Sequence, residues 1–66
     1  MEFKNIIREL RLAKGLSQME LAKRLGISQS AVAKWELGKT EPTASAIIAL
    51  SRLFNETADY LLGLTE

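Results

Sequence analysis

The sequence predicts an all-α fold built from five short helices. Three observations carry that expectation. Apolar residues recur at i, i+3, i+4 and i+7, the spacing of a helix with one buried face. No stretch alternates apolar and polar as a strand does. Most candidate helices open on a serine or threonine and close on a glycine or asparagine. At 66 residues the chain has room for one core, so one domain over residues 1–66 is expected.

The first helix is expected over residues 2–14. Phe3, Ile6, Ile7, Leu10 and Ala13 form its apolar stripe, and Gly15 is placed to end it. The second, over 17–25, has the best-specified start. Ser17-Gln18-Met19-Glu20 is a capping box, Leu16 and Leu21 stand at hydrophobic-staple positions, and Gly26 is the stop.

The third helix opens on Ser28, with Ile27 and Val32 at staple positions, and Gly38 closes it. Only Gly26 and Ile27 separate its cap from the helix before it. That makes the second and third helices a helix-turn-helix candidate. The fourth follows Pro42 with Thr43 as cap, carries Ile47, Leu50, Leu53 and Phe54, and stops at Asn55. The fifth is short, over 57–62, and is stopped by Gly63, with Leu64 beyond.

The composition excludes much chemistry. Hydrophobic residues make up 47% and charged residues 26%, as in ordinary globular domains. Cysteine and histidine are absent. Disulfides, thiolate or imidazole metal sites, and Ser-His-Asp or Cys-His catalysis are therefore excluded. The serines lack a histidine partner, and Ser17 and Ser28 are caps. The acids Glu20, Glu36, Glu56 and Asp59 fall on different helices without paired-carboxylate or metal-loop spacing. No enzyme activity, metal, cofactor or small-molecule ligand is expected.

No apolar run reaches the ~18 residues of a membrane span, and Met1-Glu2-Phe3-Lys4 lacks the order of a signal peptide. A cytoplasmic protein with no membrane contact is expected. The net charge of +1 hides an asymmetry. Residues 1–40 carry eight basic groups (Lys4, Arg8, Arg11, Lys14, Lys23, Arg24, Lys34, Lys39) against four acids, for +4. Residues 41–66 carry Arg52 against Glu41, Glu56, Asp59 and Glu66, for −3. Such a basic end fits an anionic partner such as nucleic acid. It also fits an unevenly charged solvated surface.

On a wheel of about 100° per residue from Gln29, Ala31, Trp35 and Val32 cluster between about 200° and 300° as the buried stripe. Trp35 is thus expected in the core. Gln29, Ser30, Ala33, Lys34 and Leu37 share the open face, with Glu36 at its edge. Gln can pair with adenine, Lys can donate to guanine, Ser can donate or accept, and an alanine methyl can meet thymine's. A plain solvated face has the same residue types.

LSQMELAKRLGISQSAVAKWELGKTEP (residues 16–42) closely resembles the DNA-binding domain of the phage repressor and Cro-like helix-turn-helix family. The motifs that carry the resemblance are SQxELA at 17–22, LGIS at 25–28 and WE-x-GK at 35–39. The flanking helices and the closing DYLLG at 59–63 also fit, so essentially the whole chain is covered.

The resemblance implies a compact five-helix, lambda-repressor-like domain that binds an operator in double-stranded DNA as a homodimer. Gln29, Ser30, Ala33 and Lys34 would meet base edges, and Gln18, Lys39 and Thr40 would meet phosphates. Leu61, Leu62 and Leu64 would make the dimer contact. Arg11 and Glu36 would form a structural ion pair. Glu20 is first a capping residue, and an exposed second helix could also touch RNA polymerase. The implied function is a sequence-specific transcriptional regulator, a repressor acting by occlusion. The rival is a helical protein-interaction module, as in a toxin–antitoxin or larger regulatory assembly, with no direct DNA role. Two residues depart from the family pattern. Leu37 stands at a usually polar position, and Glu56 replaces a usual apolar residue before the last helix. Longer repressors carry an effector domain beyond this point, so the chain is either a minimal regulator or a fragment.

Overall fold

A computed structural model describes residues 3–64. Five helices follow in order: α1 (Phe3–Ala13), α2 (Gln18–Leu25), α3 (Gln29–Glu36), α4 (Ala44–Phe54) and α5 (Ala58–Leu61). The expected start of the first helix at Glu2, and the charges of Glu2 and Glu66, lie outside the described residues. The architecture is all-α among those residues.

Local chemistry sets the helix ends. The Ser17 hydroxyl accepts from the Glu20 amide at 3.0 Å, and the Glu20 carboxylate accepts from the Ser17 amide at 2.8 Å. The box satisfies two of the donors that a helix start leaves unpaired. Ser28, Thr43 and Thr57 cap α3, α4 and α5 through the hydroxyl bond alone. Gly26 ends α2 at φ 72°, a left-handed conformation that costs glycine little. The Ile27 amide then donates to the Ala22 carbonyl at 3.0 Å, which turns the chain directly into the cap of α3. Asn55, at φ 55°, ends α4 in the same left-handed region.

The core joins all five helices. Phe3 and Ile7 of α1 meet Leu21 and Ala22 of α2, Val32 and Trp35 of α3, Ile47 and Leu50 of α4, and Leu61 of α5, with Leu16 from the α1–α2 turn. Phe3 and Trp35 pack edge to face, centroids 5.8 Å apart. Each fully buried aliphatic or aromatic side chain contributes roughly 1.5–3 kcal/mol. α3 packs against both α1 and α2, so one side is held and the other is left open.

Several expectations are corrected by packing. Ala13 is exposed, because α1 reaches past the core before its last turn. Ala31 is half-buried, at the margin of the α3 stripe. Ile27 remains 36% exposed, so the staple before α3 is partial while that before α2 is closed by buried Leu16 and Leu21. Helix α3 stops at Glu36, with Leu37 as cap and Gly38 at φ 76°.

Candidate nucleic-acid interface

The open side of α3 presents Gln29, Ser30 and Lys34 exposed and Ala33 half-buried between them. Gln29 is the first residue of the helix. The hydroxyls of Ser30 and the capping Ser28 share a 3.2 Å hydrogen bond, so Ser30 is oriented by the cap. Leu37 follows at 65% exposure, a large apolar surface at the far end of the same side. Beyond it Gly38 turns the chain, its amide donating to the Trp35 carbonyl and that of Lys39 to the Lys34 carbonyl. Lys39 and Thr40 are exposed on that turn.

A buried polar network holds α3 in place. The Arg11 guanidinium donates twice to the Glu36 carboxylate, Nε to Oε2 at 2.7 Å and Nη2 to Oε1 at 3.0 Å. Its Nη1 donates to the Leu16 carbonyl at 2.8 Å. The Gln18 amide nitrogen donates to the same Glu36 carboxylate at 3.1 Å. One carboxylate thus ties the last turn of α1, the first residue of α2 and the end of α3 together. Burial pushes the Glu36 carboxyl up. The hydrogen bonds from Arg11 and Gln18, with the charges of Arg11 and Arg8, outweigh it and hold the carboxyl below its ordinary range. The hydrogen bond to Glu36 raises the Arg11 guanidinium, against the opposing effect of burial.

The remaining expected positions separate. Gln18 stands at the start of α2, but one of its amide donors is turned inward onto Glu36. An open cleft of about 380 Å³ lies beside it, lined by Arg8, Gln18, Ala33, Glu36 and Leu37. Of the three tail leucines, Leu61 is fully buried in the core. Its expected place in a dimer contact is corrected, since its side chain is spent docking α5 on the core. Leu62 is half-buried against the same core, and Leu64 is 70% exposed. Tyr60 on α5 is 40% exposed. Gln18's bond to Glu36 was missed, because a contact across 18 residues leaves no local pattern. Glu56 is half-buried, and its carbonyl accepts a short hydrogen bond from Ser51, which helps close the α4–α5 turn.

The helix-turn-helix family model matches residues 7–61. The chain belongs to the Cro/C1-type helix-turn-helix family. Within that family it is similar to the HTH-type transcriptional activator BcrR of Enterococcus faecalis, at 40% identity over 63 residues, 96% of this chain and 31% of that protein. It is 38% identical to repressor protein C2 of Salmonella phage P22 over 56 residues, 85% of this chain and 26% of that one. It is 42% identical to the HTH-type transcriptional regulator AnsR of Bacillus subtilis over 55 residues, 83% of this chain and 47% of that one. The chain therefore spans less than half the length of these three relatives. Helix-turn-helix proteins of this kind are DNA-binding transcription regulators, not enzymes. No helix among the described residues is long and apolar enough to cross a membrane.

Proposed function

We propose that this helix-turn-helix domain is a repressor that binds a palindromic operator in double-stranded DNA as a homodimer, in the cytoplasm. The observation that carries the reading is the open side of α3. It is oriented by a capped start and a buried ion-pair network, and it presents an amide, a hydroxyl, a half-buried methyl, an ammonium and, at its far end, the Leu37 side chain, without an exposed acid. Such a helix can enter the major groove, about 12 Å wide, without repelling phosphate.

Gln29, Ser30, Ala33 and Lys34 read base edges. Lys39 and Thr40 rest on the backbone beside the turn. Gln18 meets a phosphate through the amide hydrogen not committed to Glu36. Two chains pair through Leu64, the exposed part of Leu62 and Tyr60, which sets two recognition helices about one helical turn, ~34 Å, apart. Repression follows from occupancy, since a dimer over a promoter excludes polymerase.

Selection of bound duplexes from a random pool tests the reading. Enrichment of a two-fold symmetric sequence is expected, and transcription from a promoter overlapping it should fall when the protein is added. Recovery of unselected sequence, or a rise in transcript, contradicts it.

A further inference from the structure

The basic side of α1 has no role in the contacts assigned so far. Lys4 and Arg8 are four residues apart, so they lie on one side of that helix about one turn from each other. Both are exposed. Among the described residues the salt bridge found is Arg11–Glu36, and neither Lys4 nor Arg8 takes part in it.

Both border the C-terminal half of α3, at two different points. The Lys4 stem crosses directly over Gly38. A β-carbon at Gly38 would stand 3.1 Å from Lys4 Cδ and 3.7 Å from its ammonium nitrogen. The ammonium therefore sits against the turn that carries Lys39 and Thr40, in a recess it shares with Thr40 and the acid Glu41. Arg8 lines the open cleft between Gln18, Ala33 and Leu37. Its charge also contributes to keeping Glu36 ionised.

We infer that Lys4 and Arg8 form a basic rail on α1 that holds the DNA backbone alongside the recognition helix, Lys4 next to the Lys39–Thr40 turn and Arg8 at the cleft beside Gln18. This rests on the DNA-binding reading and adds two cations to it. The contact is to phosphate rather than to bases. Both side chains are long, flexible cations rooted on a helix that flanks α3, and both border positions assigned to phosphate. A rail of this kind adds affinity for any duplex and leaves sequence preference unchanged. The absence of a β-carbon at Gly38 has a second use here, because it lets Lys4 lie flat across the turn.

The test is a set of binding titrations on the selected operator and on a random duplex, across a range of salt concentrations. The proteins are the parent, Lys4→Ala, Arg8→Ala, the Lys4→Arg/Arg8→Lys double variant, and Lys23→Ala in the last turn of α2, at the opposite end from Gln18. Each alanine variant should flatten the slope of log K against log salt by about 0.9 per bound chain, or ~8-fold in affinity near ~0.1 M salt, equally on both duplexes. The charge-keeping double variant and Lys23→Ala should keep the parent slope. Melting curves should match the parent's, since both side chains are exposed.

The rail is overturned if Lys4→Ala and Arg8→Ala keep the parent slope. It is overturned equally if Lys23→Ala flattens the slope as much, which reduces the effect to net charge, or if the charge-keeping variant loses affinity like the alanines, which makes it packing. A parent that binds no duplex at any salt is a different failure. It defeats the DNA-binding reading itself, and the rail falls with it.

Discussion

Arg11 and Glu36, 25 residues apart, meet in a two-pronged ion pair of 2.7 and 3.0 Å with side chains only 10% and 6% exposed. Every nitrogen of the guanidinium is satisfied, the last by the Leu16 carbonyl. The pair fixes α3 against α1, and Gln18 extends the tie to α2. In a domain this small, its loss is a large fraction of the total stability.

Replacing Arg11 by methionine should therefore cost about 3 kcal/mol, the low end of the ~3–5 kcal/mol for stranding one partner of a buried pair, because Gln18 still donates to Glu36. Urea unfolding checks this, and a midpoint equal to the parent's refutes it. The Arg11→Met/Glu36→Leu double variant should recover part of the loss, since no charge is left stranded.

Acid should act through the same carboxylate. Glu36 titrates lower in the folded chain than in the unfolded one, so its contribution is fully present above the ordinary Glu range and is lost as pH falls through the folded value. Stability should be flat near neutrality and decline below about pH 4. Glu36→Gln should be less stable at neutral pH and show a shallower decline over that acid window. An equal slope in parent and variant would mean other carboxylates carry the acid sensitivity.

The tail leucines should behave as two kinds of residue. Leu61→Ala removes a fully buried side chain and should cost about 2–4 kcal/mol in chain stability. Leu64→Glu, at a 70% exposed position, should leave the melting temperature unchanged and weaken two-chain assembly. Sedimentation on a palindromic duplex should show two chains for the parent and a larger one-chain fraction for Leu64→Glu. Identical stoichiometry for both would place the pairing surface elsewhere.

What the sequence made legible follows the range of the physics. Caps and stops are contacts within a few residues, so Ser17, Ser28, Thr43, Gly26 and Asn55 could be placed from local spacing, and with them the helix-turn-helix. Periodicity placed Ile7, Val32, Trp35 and Leu50 in the core. It failed at Ala13 and Ala31, since a wheel gives an angle and not where the neighbouring helix ends. Leu61 was misjudged because one turn of helix has too short a period to show its buried side. The seating of Lys4 on Gly38 and of Gln18 on Glu36 depends on how α1, α2 and α3 cross, which no local pattern records. The base- and phosphate-facing roles rest on residue type and family resemblance, and they belong to the proposal that the binding titrations test.

The central claim is that α3 reads base pairs, and Gln29 is its most direct probe. Gln29 heads the helix, exposed, and takes no part in the core or in the Arg11–Glu36 network. Gln29→Ala should cost about 1–3 kcal/mol on the selected operator and almost nothing on random duplex, because one base-edge contact is lost. Lys39→Ala, as the phosphate counterpart, should weaken both and flatten the salt slope by about one unit. The deciding quantity is the operator-to-random affinity ratio of Gln29→Ala against the parent. A ratio reduced about tenfold or more supports base reading by α3. An unchanged ratio, with both affinities lowered together or not at all, contradicts it.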